Sequence, residues 1–401
     1  MDKKFFKFTF YLCMTLIFIA LPAMAMDNAM EKDAGLILAD DQGKILYSRN
    51  ADKQFTPASI LKILTSLAAV DYFGMDHRFK TLYAYDKISK NLYIKGFGDP
   101  LFISEVIQDL CGQILAKTKA KTIHNIILDH SFFHPDIQIP GTGDSLNPYD
   151  ATSGALCANF NTLSFKWNPV QKGFVSAEPQ TPLLPSFLGA IKASGQKQGR
   201  ILLAPKQRND YPGLLIKFFL TKKGIPVKGS VSQGRFNPAD GQTYSFESPF
   251  TLEEILQKLL KYSNNFMANQ LILAMGADKE GSPTTLAKGV RVLETFAQKK
   301  LGLTDLIIAE GSGISRANKI SPDHMLRILM AFMPFHDLLT LKGNEYYKTG
   351  TLSDVRCRAG FILGKDKRFY PFVIMVNGEN KVYDSIHRDL LRRVNMITKD
   401  N

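Results

Sequence analysis

The two ends of the chain carry similar strand and helix patterns, and a long stretch of different character separates them. Near the start, apolar runs at residues 35–39 and 45–47 flank a polar turn, which predicts an antiparallel hairpin. After the middle stretch, further helices and strands are predicted at residues 252–262, 266–273, 283–298, 322–333, 346–351, 358–363, 370–376 and 382–397. Because the hairpin and the last three strands can complete one antiparallel sheet covered by the end helices, we predict an α+β multi-domain fold.

The middle stretch, residues 75–245, alternates short strand-like runs with turns rich in Gly, Pro, Asn and Asp. Strands are predicted there at residues 81–85, 92–95, 122–128 and 214–220. Only residues 104–117 have a convincing helical pattern. We therefore predict a mostly-β insertion, with residues 26–74 and 246–401 forming one discontinuous domain around it.

Residues 1–25 have the pattern of a signal peptide. Lys3, Lys4 and Lys7 precede a short apolar run at residues 8–21, and small residues follow at 23–25. The run is shorter than a bilayer-spanning helix requires. We therefore predict export to the periplasm, as a soluble or peripherally membrane-associated protein.

The net charge of +13 favours anionic surroundings, such as lipid headgroups or a carboxylate-bearing wall polymer. No long Lys/Arg run occurs, so nucleic acid is not an expected partner. Cys111, Cys157 and Cys357 follow the predicted signal, and an odd number of thiols is a poor disulfide framework. We expect them to be buried thiols.

Three short motifs occur in order along the chain: Ser59-Ile60-Leu61-Lys62, Ser263-Asn264-Asn265 and Lys348-Thr349-Gly350. Together they are typical of serine β-lactamases and penicillin-binding proteins. A second SxxK match, at residues 194–197, lies in a polar, Gly-containing segment that does not suggest a helix. The residues around Ser59 must therefore distinguish it from Ser194 as the candidate nucleophile.

Ser59 is predicted to lie in the first turn of a helix that begins at Thr56-Pro57 and runs to about residue 72. Residues three apart on a helix share a face, so Lys62 can approach the Ser59 hydroxyl. A partly desolvated lysine can take the proton of a serine nucleophile. The alternative is an ordinary helix-start serine beside a surface lysine.

The other two motifs predict groups that complete such a site. Ser263 and Asn265 lie at a polar break between two apolar helices, where a hydroxyl can relay a proton and an amide can orient Lys62; helix capping is the alternative. Lys348 and Thr349, in a strand-like stretch, would bind a terminal carboxylate. The substrate-binding residues are predicted to be Lys348, Thr349, Gly350 and Thr351, and the backbone N–H groups of Ser59 and Thr351 would form an oxyanion hole.

Four further stretches accompany these motifs, at residues 57–59, 96–100, 128–133 and 311–316. With them the chain resembles the D-alanyl-D-alanine carboxypeptidase/endopeptidase family of class C low-molecular-mass penicillin-binding proteins. The resemblance implies a transpeptidase-like domain with a large insertion, hydrolysis of D-Ala-D-Ala ends or cross-links in peptidoglycan, and covalent inhibition by β-lactams. Two positions depart from the family pattern: Glu310 stands where Asp is usual, and Asn269 replaces an acidic residue.

Four other interpretations of the sequence have less support. His130 and His134 have the spacing of a zinc pair beside Asp129, but Pro135 indicates a turn and no third ligand is evident, so no metal or cofactor is predicted. A β-lactamase would need a second base after Asn265, and no such sequence follows. A wall-binding protein without activity would not need the intact motifs. The apolar face of the last helix could lie on a membrane, although such helices more often cover a sheet.

Overall fold

The computed structural model describes residues 33–143, 150–378 and 382–398, so the predicted signal peptide lies outside the described residues. The strands are Ala34–Ala39 (β1), Ile45–Arg49 (β2), Arg78–Tyr85 (β3), Leu92–Gly96 (β4), Ile126–Asp129 (β5), Thr162–Asn168 (β6), Gly173–Ser176 (β7), Gln198–Leu202 (β8), Val231–Gln233 (β9), Thr243–Thr251 (β10), Thr340–Lys342 (β11), Glu345–Leu352 (β12), Val355–Leu363 (β13) and Phe369–Asn377 (β14). The α-helices are Lys62–Phe73 (α1), Ser104–Thr118 (α2), Leu188–Ala193 (α3), Pro205–Lys222 (α4), Leu252–Tyr262 (α5), Asn265–Glu280 (α6), Leu286–Leu301 (α7), Pro322–Phe332 (α8) and Tyr383–Ile397 (α9). Within these ranges no helix combines the length and apolarity needed to cross a bilayer.

The chain forms two compact units. The first contains the segment up to Ile60, residues 319–336 and the chain from Leu341 onward; the second contains residues 61–318 and 337–340. The predicted domain boundaries at residues 74/75 and 245/246 stay a prediction.

The first unit is built on a six-stranded sheet in the order β11–β12–β13–β14–β1–β2. β1 pairs antiparallel with β14, with Ala34 opposite Val376, so the two ends of the chain share one sheet as predicted. Successive side chains of a strand point to opposite faces. Leu36 and Leu38 of β1 accordingly join the cluster that contains Leu390 and Val394 of α9, whereas Ile37 and Ala39 pack with Leu326 of α8. The apolar face of the last helix therefore covers the sheet.

The second unit has a buried helix at its centre. Every residue of α1 from Lys62 to Ala69 is buried, and the helix packs against α5, α6 and α7. The unit also contains a five-stranded sheet, β10–β3–β4–β5–β9, and a three-stranded sheet, β7–β6–β8.

Residues 214–220 form part of helix α4, so the predicted strand was wrong. A short continuous apolar run cannot by itself distinguish a strand from a buried helix. The buried positions Tyr211, Leu215, Ile216, Phe219 and Leu220 recur at helical spacing, and Pro205 occupies the first turn, where its missing N–H costs nothing. Residues 75–245 therefore contain more helix than the sequence pattern indicated.

The helix predicted to begin at Thr56-Pro57 starts later in the chain, which corrects a second prediction. A 3₁₀ turn, Ala58–Leu61, comes first, and α1 begins at Lys62. The Thr56 hydroxyl accepts a hydrogen bond from Lys319 at 2.8 Å, and its N–H donates to Asn377 Oδ1 at 2.7 Å. Both bonds join Thr56 to residues that are distant in the sequence.

The three cysteines that follow the predicted signal, Cys111, Cys157 and Cys357, are buried free thiols, as predicted.

Candidate active site

Ser59 lies half-buried in the 3₁₀ turn, immediately before the α-helix rather than inside it. The preceding residue, Ala58, has a φ of +47°, a left-handed conformation that costs energy for any residue with a Cβ. The residue directly before Ser59 is thus held by its surroundings in a strained backbone conformation, as is common beside functional groups.

Gly350 lies against the backbone of that turn, within the first unit. A Cβ at this position would lie 2.7 Å from the Pro57 carbonyl oxygen and 2.9 Å from the Ser59 nitrogen. These distances are far below van der Waals contact with backbone atoms that cannot yield. The glycine of the third motif therefore lets β12 approach the Ser59 segment itself, a role that the sequence did not indicate.

Lys348 of β12 is 4% exposed, and its Nζ donates to the backbone oxygen of Thr349 at 2.8 Å. Burial removes water from the ammonium and lowers its pKa from the usual 10.5 to about 8. Thr349 is exposed next to it on the same strand. The pair combines a partly desolvated cation with a hydroxyl group, a combination suited to a carboxylate.

Lys62 of the second unit is completely buried. Its Nζ donates to Asn265 Oδ1 at 2.7 Å and to the backbone oxygen of Ser312 at 2.7 Å. Two acceptors at these distances restrain the amino group to one position. The structure thus brings together the lysine of the first motif and the asparagine of the second, which are 203 residues apart.

The polar break at the second motif has the predicted position. α5 ends at Tyr262, Ser263 follows with a φ of +53°, and α6 begins at Asn265. Asn264, the middle residue, caps α6 by accepting the Met267 N–H at 3.0 Å. Because Asn264 serves as the cap, Asn265 is available to Lys62.

The loop at residues 311–315 contributes to this group and was missed as a functional element. Ser312 supplies the carbonyl that accepts from Lys62, and Thr65 of α1 donates its hydroxyl to the Gly311 oxygen at 2.6 Å. The sequence indicates residues 311–316 only as a stretch of family resemblance. A backbone carbonyl leaves no side-chain signal in a sequence, so its role could not be predicted.

Glu310 shapes this loop from inside. Its fully buried carboxylate accepts the N–H groups of Ser312 at 2.6 Å and Gly313 at 2.7 Å, and the side-chain amide of Asn318 at 2.7 Å. Asn269 donates its amide to the same carboxylate at 3.1 Å and accepts the Gly311 N–H at 2.8 Å. The two residues that depart from the family pattern are therefore hydrogen-bonded to each other. An acidic residue at 269 would face the Glu310 carboxylate, whereas an amide can donate to it.

The residues considered for zinc have other roles. His130 Nε2 lies 3.1 Å from the backbone oxygen of Asn209, and Asp129 accepts the N–H groups of Ser131 and Phe236. Within the described ranges no group of three or more His, Cys, Asp or Glu side chains is arranged to hold a metal ion.

Comparison with known proteins identifies relatives along most of the chain. The model of the D-Ala-D-Ala carboxypeptidase 3 (S13) family matches residues 18–187 and 186–342. A D-alanyl-D-alanine carboxypeptidase of Actinomadura sp. (strain R39) is 26% identical over 361 residues, which is 77% of this chain and 66% of that relative, just under two thirds. The D-alanyl-D-alanine carboxypeptidase DacB of Haemophilus influenzae is 26% identical over 405 residues, with 84% of each chain covered.

Solved structures show the same fold. Penicillin-binding protein 4 of Haemophilus influenzae superposes with a TM-score of 0.70 at 23% identity, covering 86% of this chain and 90% of that one. A penicillin G acylated predatory endopeptidase of Bdellovibrio bacteriovorus gives a TM-score of 0.58 at 16% identity, with 92% of each chain covered. With the family model matching most of its length, the chain belongs to the D-Ala-D-Ala carboxypeptidase 3 (S13) family of peptidases.

Proposed function

We propose that this protein is a serine D-alanyl-D-alanine carboxypeptidase, endopeptidase or both, which cleaves peptidoglycan stem peptides through an acyl-enzyme on Ser59. The observation that carries the proposal is the restraint of Lys62 by Asn265 and the Ser312 carbonyl, three residues after Ser59. A lysine that is buried and held in this way is suited to exchange a proton with a nearby hydroxyl, unlike an ordinary solvent-exposed lysine.

The proposed reaction begins when Ser59 Oγ attacks the carbonyl carbon of the scissile D-Ala bond and passes its proton to Lys62 in its amine form. The backbone N–H groups of Ser59 and Thr351 would stabilise the oxyanion. As the bond to the leaving nitrogen breaks, the proton returns from Lys62 to that nitrogen, with the Ser263 hydroxyl as relay and Asn265 holding the substrate amide. Water then hydrolyses the ester and regenerates the serine.

The terminal carboxylate of the substrate would be bound by Lys348 and Thr349. β-Lactams would acylate Ser59 by the same attack. No second base of the β-lactamase type follows Asn265 in the sequence, so the acyl-enzyme formed with them should hydrolyse slowly. We further propose that the protein is exported to the periplasm, where peptidoglycan and a membrane surface are both accessible.

The products formed from purified muropeptides test this proposal. We expect the protein to shorten pentapeptide stems by one terminal alanine, to convert cross-linked dimers to monomers, or to do both, and we expect prior incubation with penicillin to block the reaction. Separation of the products by mass distinguishes the two cleavages. Unchanged muropeptides together with no covalent penicillin adduct would contradict the proposed function.

The pKa of Lys348 predicts a pH dependence of substrate recognition. The lysine is cationic below its pKa of about 8 and neutral above it, so its attraction for a carboxylate is present below that pH and lost as the pH rises through it. We expect kcat/KM for a D-Ala-D-Ala peptide to fall above pH 8, with KM rising. The measurement is a pH series of initial rates.

Two controls isolate the lysine in that series. A peptide whose terminal carboxylate is amidated should not show the fall, and Lys348→Arg, which stays charged throughout, should move it to higher pH. Equal profiles for the free and the amidated peptide would show that Lys348 does not bind the carboxylate.

A further inference from the structure

The three-stranded sheet of the second unit ends in an exposed hairpin tip, residues 166–172, which we call the β6–β7 tip. Trp167, the only tryptophan of the chain, is 42% exposed, and Val170 at the apex is 89% exposed. Singly exposed apolar residues are ordinary. An indole and a valine on one projecting turn are a less ordinary combination.

The tip is built firmly rather than loosely. Asn168 Oδ1 accepts the N–H groups of Val170 at 2.9 Å and Gln171 at 3.1 Å, which closes the turn. Trp167 donates its backbone N–H to the Lys197 oxygen at 2.6 Å, and its ring meets Phe174 edge to face at 5.2 Å. The turn therefore exposes both apolar side chains on a backbone that is already ordered.

The surroundings of the tip are basic. Over residues 162–204 a single acidic residue, Glu178, stands against five basic ones, and it is ion-paired with Arg200. Lys166, Lys172 and Lys197, which belong to the tip or to the neighbouring edge, are all exposed. Tryptophan prefers the interface of a bilayer, and lysines are attracted to anionic headgroups.

The shape of the tip also favours a lipid surface. A binding site for a sugar chain would be concave and would present converging hydrogen-bond groups. The tip instead projects and carries an aliphatic side chain at its apex. The side-chain oxygen of Asn168 is used within the turn itself. The other apolar surface considered for a membrane, the face of α9, is already packed on the first sheet through Leu390 and Val394.

We propose that the β6–β7 tip inserts Trp167 and Val170 into the headgroup region of a bilayer that contains anionic phospholipid, with the adjacent lysines binding the headgroups. This interaction is separate from the proposed catalysis and does not depend on it.

The single tryptophan allows a direct test with the full chain. We expect its fluorescence to shift to shorter wavelength, and to become quenched by brominated lipid, on vesicles of phosphatidylglycerol and phosphatidylcholine. The shift should be absent on pure phosphatidylcholine and should weaken at high salt. Covalent labelling by penicillin, measured alongside in solution, reports on the proposed active site independently.

A matched pair of variants separates the tip from general surface effects. Val170→Asp should weaken binding to the anionic vesicles roughly tenfold or more, because it places a carboxylate in the inserted apex. Ile88→Asp makes the same charge change at a residue that is 78% exposed elsewhere in this unit, and it should have no such effect. Both variants retain the same N-terminal residues, so any attachment through that segment cancels in the comparison.

Three outcomes would overturn the proposal. The first is a tryptophan spectrum unchanged by anionic vesicles, and the second is equal weakening by Val170→Asp and Ile88→Asp. The third is a spectral response to isolated peptidoglycan but not to vesicles, which would make the tip a contact for the wall polymer instead.

Discussion

Ser59→Ala is expected to abolish covalent labelling by penicillin and to reduce hydrolysis of D-Ala-D-Ala peptides by about 10⁴-fold or more. The reason is that alanine has no oxygen to form the ester, so the two-step path is lost and not merely slowed. Intact-protein mass spectrometry after incubation with penicillin measures the adduct, and peptide mapping locates it.

The chain offers a matched control in its second SxxK sequence. Ser194 follows the short helix α3 at its C-terminal end, where the helix dipole disfavours developing negative charge, and its hydroxyl donates to the Ile191 oxygen at 2.7 Å. Ser194→Ala should therefore label like the parent protein. Equal labelling of Ser59→Ala and the parent would remove Ser59 from the mechanism.

Glu310→Ala is expected to lower the free energy of unfolding by about 3 kcal/mol or more and to slow acylation as well. Removal of the carboxylate leaves the N–H groups of Ser312 and Gly313 and the Asn318 amide buried without their acceptor. The same loop presents the Ser312 carbonyl to Lys62, so its displacement would release the amino group. Chemical denaturation and the rate of penicillin labelling measure the two effects.

Asn269→Asp gives this prediction a pH signature that a general packing defect would lack. A carboxylate at 269 would face Glu310 without an amide to donate to it, and two adjacent negative charges repel each other. The destabilisation should therefore be present at neutral pH and be relieved in acid.

Asn264→Asp is the matched control for that change, because Asp caps a helix as well as Asn does and position 264 is a cap. It should leave stability nearly unchanged. A pH-independent loss in Asn269→Asp would show that the two residues are not electrostatically coupled, and a stable, fully active Glu310→Ala would show that the loop does not need its carboxylate.

Much of the fold was predictable because its signals are local. The hairpin β1–β2, the helix at residues 252–262 and the break at Ser263 were all visible in short stretches and are confirmed. The strand predicted at residues 214–220 was wrong because the apolar run there is compatible with either structure. The segment is a helix because one of its faces is buried against other elements, and no short stretch of sequence shows that packing.

The three motifs that begin at Ser59, Ser263 and Lys348 were recognisable from the sequence alone, because the chemistry demands particular residue types at short, ordered spacings. What tertiary structure alone decided is which partner each group takes. It assigned Lys62 to Asn265 and the Ser312 carbonyl, gave Asn264 the cap, and filled the space beside Gly350 with the backbone of Ser59. It also joined Asn269 to Glu310, 41 residues away. Hydrogen bonds between distant residues depend on how the elements pack, whereas a motif records only the neighbours along the chain.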